Sequence, residues 1–416
     1  MKRIIIIFIG LINFSMVSQQ SLSLDDCYKL ATLNYPLAKQ FQLLATQNQL
    51  ELEAITTAKF PQLSWDMQAT YQSEVTEVPI PNTGINPPNK DQYRTTISVN
   101  QLIYNGGATD ASLNLKSAQF KAKQKQVEVS LYQIKQKINQ LYFSILLAQE
   151  TDTLLKAKQN QLETKLKEVK SGITHGALLP ASDKIIEAEL LKLNQQFTEV
   201  KSSKSTFIKS LSQLIGQPLD TSITFHNPLI ETKINSDLSR PELDLFQLKK
   251  EEIESSSLLL SKQNAPKLIG FASGGYGNPG LNMLDNSFQA FYMIGAKLNW
   301  NIFDWNSNKK QRESLAINKD IIDTDTETFK LNTTIELMQQ QKEIEKIETF
   351  ITSDQEIIKL REDILKSASS QLKNGVITTS AYITELTNLY EDQTNLMKHK
   401  IELQLAKANY NLIKGN

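Results

Sequence analysis

Cysteine occurs once in 416 residues, at Cys27, so one chain can build neither a disulfide framework nor a thiolate metal cluster. Histidine occurs three times, at His175, His226 and His399, positions too scattered to match any metal-ligand spacing. The 45 basic and 45 acidic residues cancel, which leaves no electrostatic footprint for nucleic acid. Beyond the first 20 residues no segment is apolar enough to cross a bilayer as a helix, so any membrane insertion has to use strands. Glycine and proline are missing from 108–171, 181–215, 305–374 and 376–414. Uninterrupted stretches of this size predict helices approaching about 100 Å at ~1.5 Å per residue. Helices of ordinary domains average only about 11–12 residues.

The N-terminus has its own character. Met1-Lys2-Arg3 is basic, 4–17 is almost wholly apolar, and Ser18, Gln19 and Gln20 follow. This is the charged, apolar and cleavage-region order of a secretory signal peptide over 1–20, with cleavage expected between Ser18 and Ser21. The residues before Cys27, Ser23-Leu24-Asp25-Asp26, differ from the small-residue box that precedes a lipid-anchored cysteine.

The chain also repeats itself. Val99-Asn100-Gln101-Leu102-Ile103-Tyr104-Asn105-Gly106 matches Leu298-Asn299-Trp300-Asn301-Ile302-Phe303-Asp304-Trp305, and Tyr93 falls against Tyr292 at the same offset of 199. Gly176-Ala177-Leu178-Leu179-Pro180-Ala181-Ser182 meets Gly375-Val376-Ile377-Thr378-Thr379-Ser380-Ala381 on it as well. A constant offset predicts two copies of one structural unit. The first spans 21–216: a helix, a strand pair over 62–104, a long helix over 107–172 and a helix over 181–215. A linker of little periodicity, 217–240, leads to the second copy over 241–416. That copy has a helix, a strand pair over 266–303, a long helix over 306–374 and a helix over 378–413.

The long helices carry coiled-coil seams. Val127, Leu131, Ile134, Ile138, Leu141, Ile145 and Ala148 step by fours and threes, and Leu155, Leu162 and Val169 continue at sevens. Leu337, Ile344, Ile351, Ile358, Leu365 and Leu372 recur every seven residues. The strand segments alternate instead. Leu63, Trp65, Met67, Ala69 and Tyr71 form one face, with Ser64, Asp66, Gln68, Thr70 and Gln72 on the other. Tyr93, Thr95, Ile97 and Val99 alternate with Arg94, Thr96, Ser98 and Asn100, and Tyr292, Ile294, Ala296, Leu298 and Trp300 share a face.

Ten-residue alternating strands with aromatic ends suit an outer-membrane barrel. Trp65, Tyr71, Tyr93, Tyr104, Tyr292 and Trp300 are the expected membrane-interface aromatics. Four strands cannot close a barrel, and an open edge is not tolerated in lipid. Eight strands from two chains leave an interior that side chains just fill, whereas twelve from three chains leave a lumen. A conduit therefore predicts a homotrimer in outer-membrane lipid. The segment Gly275-Tyr276-Gly277-Asn278-Pro279-Gly280 has the G-x-G-x-x-G spacing, but a strand rather than a helix is expected after it, so a nucleotide loop is rejected. No nucleophile-base or metal constellation stands out elsewhere, and neither an enzyme nor a cofactor is expected.

These features resemble the TolC-type outer-membrane efflux family. The resemblance is carried by Ser23-Leu24-Asp25-Asp26-Cys27 with Asn34-Tyr35-Pro36, and by Phe60-Pro61-Gln62-Leu63 with Ala265-Pro266-Lys267-Leu268. The strand-to-helix segments Gln101-Leu102-Ile103-Tyr104-Asn105-Gly106-Gly107 and Trp300-Asn301-Ile302-Phe303-Asp304 add to it, as does Leu211-Ser212-Gln213-Leu214-Ile215-Gly216-Gln217-Pro218-Leu219. It implies a mixed membrane α/β fold: a trimeric 12-stranded β-barrel with four strands per chain, continued by a long α-helical coiled-coil periplasmic tube. It also implies the outer membrane of a Gram-negative bacterium, and the exit duct of a tripartite efflux or type I secretion system. The implied partners are a periplasmic adaptor and an inner-membrane pump.

By the same resemblance Gly176 and Gly375 are the adaptor-contact tips. The family often closes its periplasmic mouth with carboxylates, but here the positions six and nine after Gly375 are Ala381 and Thr384. Asp183, Glu187 and Glu385 are the acids nearby, and Leu178, Leu179 and Tyr382 offer an apolar constriction instead. The rival reading is an exported periplasmic coiled-coil adaptor or structural tether, which leaves two amphipathic strand pairs unexplained.

Overall fold

The computed structural model describes residues 21–77, 87–221, 223–234 and 236–415. The expected signal peptide and the proline-rich loop over 79–84 lie outside the described residues. In chain order the elements are β1 (Ser21–Leu22), α1 (Leu24–Asn34), α2 (Gln40–Thr56), β2 (Gln62–Tyr71), β3 (Asp91–Tyr104), α3 (Ala108–Thr174) and α4 (Ser182–Ile215). There follow β4 (Thr224–Phe225), α5 (Pro241–Gln263), β5 (Lys267–Asn278), β6 (Gln289–Asn299), α6 (Ser307–Lys373) and α7 (Thr379–Lys414). Short 3₁₀ turns flank α2 at Pro36–Lys39 and Thr57–Lys59. Both long helices have 67 residues, and their first and last residues stand at the 199-residue offset.

Packing divides the chain differently from the repeat. One compact unit takes in the residues through Ala38, Ser130–Arg240 and Leu331–Asn416, and the other Lys39–Val129 and Pro241–Lys330. Each unit thus draws on both repeats. The repeat is a unit of sequence and secondary structure rather than of packing.

The first unit is all but wholly helical. Ser23 opens α1 with a capping box in which its hydroxyl accepts from the Asp26 N–H. That helix buries Leu24, Cys27 and Ala31 against Ile138, Tyr142, Phe143, Ile145 and Leu146 of α3 and Ile208, Leu211 and Ile215 of α4. Cys27 is fully covered, and burial pushes its thiol up to about 12. Asn34 donates from its side-chain amide to the Ile215 carbonyl (2.9 Å), so Asn34-Tyr35-Pro36 and the end of α4 meet. A second core joins Leu162 and Val169 of α3, Ile186 of α4, Leu365 and Leu372 of α6, and Tyr382 and Leu386 of α7. The expected seam residues supply much of these cores.

The 217–240 segment is more than a linker. Its β4 pairs in parallel with β1, and Phe225 is buried with its ring edge-on to Tyr142, centroids 5.2 Å apart. Tyr142 Oη donates between the carbonyls of Leu22 (3.1 Å) and His226 (2.8 Å). Gln149 brackets Phe225, donating to its carbonyl (3.1 Å) and accepting from its N–H (3.3 Å). Two residues of strand are too short for any periodicity to reveal.

The second unit holds the four-stranded sheet, in the order β2-β3-β5-β6, antiparallel throughout. Within it Lys116 pairs with Glu51 of α2 (3.2 Å), Lys125 with Asp244 of α5 (3.2 Å), and Phe246 meets Phe329 edge-on at 5.9 Å. Among the described residues no helix is long and apolar enough to cross a membrane.

Candidate functional site

Residues facing each other across a sheet share a side of it, so the register assigns every side chain to one of two faces. One face runs Leu63–Val99–Ala272–Ile294, then Trp65–Ile97–Gly274–Tyr292, then Met67–Thr95–Tyr276–Ala290. Its large side chains are exposed: Leu63, Trp65, Met67, Tyr292, Ile294 and Leu298 are each more than 60% accessible. That is a continuous apolar surface of the kind a water-soluble chain covers. The opposite face carries Ser64–Ser98–Ser273–Met293 and Gln68–Arg94–Gly277–Gln289, with Asp66 and Thr96 between them and Gln62 and Asn100 beyond the first. It is largely polar, broken by Phe271 and Phe291. Strands β2 and β6 each pair on one side only, so both edges of the sheet are open.

The six expected interface aromatics are all exposed; five lie in strands on the apolar side and Trp300 directly follows β6, but not all are at strand ends. Tyr71 and Tyr93 lie near one end of the strands, and Tyr104 and Trp300 near the other. Tyr104 reaches the apolar face because an irregularity between Leu102 and Tyr104 shifts the register and pairs it with Leu268. Trp65 and Tyr292 share a mid-strand row instead. Alternation alone tells which face a residue takes, not how far along the strand an aromatic sits.

Two turns connect the helix pairs α3–α4 and α6–α7. Gly176 and Gly375 both take φ of +72°, the left-handed conformation in which only glycine is unstrained. At the second turn the Gly375 N–H donates to the Leu372 carbonyl (3.0 Å) and the Val376 N–H to that of Gln371 (2.8 Å). This is the bond pair of a Schellman cap, which satisfies carbonyls that the helix end leaves over. The first turn has the corresponding bonds, Gly176 to Ile173 (3.0 Å) and Ala177 to Gly172 (2.8 Å). A Cβ on Gly176 would meet nothing within 4 Å, and one on Gly375 only the Ala177 carbonyl oxygen at 3.8 Å. Leu179 and Val376 stand exposed in the same turns, at 68% and 71%. The turns therefore present open backbone beside an apolar side chain.

The candidate constriction residues are committed to partners within the chain. Glu187 accepts from Lys170 (2.9 Å) and Lys184 (2.7 Å), whose ammonium groups hold its carboxyl down at about 2. Asp183 lies 3.7 Å from the Lys184 ammonium. Glu385 takes Arg361 Nη1 at 3.3 Å, and Arg361 Nε reaches Asp392 at 3.1 Å. Tyr382 is 2% exposed, packed in the core with the Lys165 ammonium 4.9 Å from its ring centre. A side chain so covered has no surface to offer an opening. The expectation of Tyr382 as a constriction is therefore corrected: its apolar spacing reports the protein's own core. The paired acids Glu187 and Glu385 sit on separate helix pairs.

Three comparisons bear on this geometry. Residues 29–217 match the family model described as outer membrane efflux protein. That stretch of the chain is similar to the outer membrane efflux protein domain. No curated protein matches it. Among solved structures the fold is similar to CusC, with a TM-score of 0.69 at 11% identity over 95% of this chain and 92% of that one. It is also similar to the CmeC outer membrane channel of Campylobacter jejuni (0.64, 16%, 94% and 86%) and to the outer membrane protein VceC of Vibrio cholerae (0.67, 14%, 94% and 96%). The fold is TolC-like over nearly the whole chain. The efflux domain takes in most of the first repeat, and the fold likeness extends to the second.

Several residues of the site escaped sequence reasoning. Gly172 lies inside the last turns of α3, where a Cβ would sit 2.8 Å from Leu178 Cδ1. In sequence Arg361 and Lys165 do not differ from the many other cations on the long helices. Their signal, a cation seven or fewer residues from a seam position, is too common on helix surfaces to single them out.

Proposed function

We propose that the protein is the outer-membrane exit channel of a tripartite efflux or type I secretion assembly in a Gram-negative bacterium. Its sheet lies in outer-membrane lipid and its helical part in the periplasm. The observation that carries this reading is the sheet with one exposed apolar face, one polar face and two open edges. Unpaired edge groups cost several kcal/mol each in hydrocarbon, roughly the price of a polar group left without a partner, so β2 of one copy has to meet β6 of another. Three copies give twelve strands and a water-filled interior. The helices point the same way. On α2 no residue is buried, and Leu43 and Leu50 stand exposed, as do Ile335, Met338, Ile357, Leu360 and Ile364 on α6. A second copy of the chain covers such stripes as helices cover one another in coiled coils.

Gly176 and Gly375, with Leu179 and Val376, form the surface for a periplasmic adaptor, behind which stands an inner-membrane pump. Asp183, Glu187 and Glu385 act at the mouth through the pairs they make rather than as free charge. Tyr71, Tyr93, Tyr104 and Trp300 mark the two interfaces of the bilayer. A soluble adaptor or tether leaves the apolar face of the sheet unexplained.

The test is membrane fractionation followed by reconstitution of the full chain. A detergent-requiring, heat-modifiable trimer with single-channel conductance is expected. A salt-extractable soluble protein that never conducts would sink the reading.

A further inference from the structure

We propose that Lys267 and Lys297 form a fixed cationic collar at the helix-proximal end of the barrel lumen, which makes the channel prefer anions; the inference rests on the channel reading. Lys267 pairs with Asn299 and Lys297 with Ile269 on neighbouring strands, which makes the two lysines diagonal neighbours on the polar face. Both are exposed, and among the described residues neither makes an ion pair with a carboxylate. Like charges so placed repel, and a sheet has no structural use for the arrangement.

The neighbouring groups do not cancel this charge. Across β3 the Lys297 row holds Leu102, and the next row towards the strand middle holds Asn100, with Gln62 beside it on β2. Asp66 is the one acid on the polar face of the four strands, and its register row, with Thr96 and Gly275, lies closer to the Arg94 row than to either lysine. Arg94 is turned aside, with its guanidinium 5.4 Å over the Phe291 ring and Nη2 donating to the Gly280 carbonyl (3.3 Å). Two carboxylates follow the strands at the lysine end, and both are engaged. Asp110 pairs with Lys59 at 2.8 Å, and Asp304 accepts from Asn264 (2.6 Å) and the Asn308 N–H (3.0 Å).

When β6 joins β2 of the next copy, the strand that arrives beside Lys297 carries Gln62 and Ser64, which bring no negative charge. Three copies thus set six ammonium groups around the lumen, two from each chain. A ring of cations in a narrow, low-dielectric pore raises the local concentration of anions and lowers that of cations. The cargo class that fits is anionic, and Ile269, Phe271 and Met293 on the same face suit an anion with an apolar body.

The experiment reads reversal potentials of the reconstituted full chain in neutral lipid under an asymmetric KCl gradient. The wild type is expected to pass chloride more readily than potassium. The double variant Lys267→Glu, Lys297→Glu should lower that permeability ratio several-fold, below one, with single-channel conductance retained. Lys267→Gln, Lys297→Gln covers the case in which the charge reversal fails to assemble, and should lower the ratio towards one. Potassium preference in the wild type, or a ratio unmoved by either variant, overturns the collar. A protein that inserts but never conducts overturns the channel reading, and the collar with it.

Discussion

Gly106 and Gly107 link β3 to α3 with φ of +66° and +82°, and their repeat partners Trp305 and Asn306 hold +55° and +62° without being glycine. The left-handed turn is thus retained where the residue best suited to it is not, at a cost of about 1–2 kcal/mol for a residue with a Cβ. What separates the two glycines is space. A Cβ on Gly106 would fall 2.1 Å from that of Ala265, while one on Gly107 meets nothing within 4 Å. Gly107→Ala should therefore lose only the backbone term, and Gly106→Ala that term plus about 1–3 kcal/mol of overpacking. Thermal unfolding in detergent separates the two, and equal losses would refute the steric reading. At the tip, Gly375→Gln adds the same backbone strain and pushes a side chain into open space. Export should fall while the trimer survives on gels, and a lost trimer would make the glycine structural. Cys27 offers a pH test. The unfolded thiol ionises near 9 and the folded one near 12, so its contribution is complete below pH 9 and is lost as pH rises between those values. Maleimide labelling at pH 8 should track unfolding, and prompt labelling of the native protein would contradict the burial.

The segment joining the two repeats carries a sharper contrast than its composition suggests. Phe225 is 1% exposed and Leu229, four residues on, 92%. Phe225→Ala should cost about 3–5 kcal/mol through lost contacts and a residual cavity. Leu229→Ala should stay within about 0.5 kcal/mol, as surface substitutions do. Chemical denaturation of both variants decides whether the segment is a passive tether. The same contrast shows where sequence reasoning held and where it gave out. The strands and long helices were legible because period and punctuation are local: α3 and α6 end within two residues of the expected 172 and 374. The two-residue β4, the register shift that turns Tyr104 outward and the placing of β3 beside β5 depend on partners distant in sequence. Tyr382 failed for a related reason, since an apolar helix position looks the same whether it faces a lumen or another helix of its own chain.

Membrane residence is a property of the assembled sheet, and neighbouring positions on one strand test it. Ile294 and Met293 are adjacent in β6, so their side chains take opposite faces: Ile294 pairs with Ala272 on the apolar side and Met293 with Ser273 on the polar side. Their accessibilities in the single chain, 76% and 46%, do not distinguish lipid from water. A lysine does. On the lipid side near the middle of a bilayer it costs about 2–4 kcal/mol, whereas in a wet lumen it is solvated. In the proposed trimer that cost would apply in each of the three copies. Ile294→Lys should sharply reduce the heat-modifiable trimer in outer-membrane fractions. Met293→Lys should leave its abundance near that of the wild type and add to the positive charge of the proposed collar. A soluble sandwich reverses the first result, because a lysine on an exposed face is harmless in water. Equal abundance of the two variants would therefore remove the bilayer from the account of this sheet.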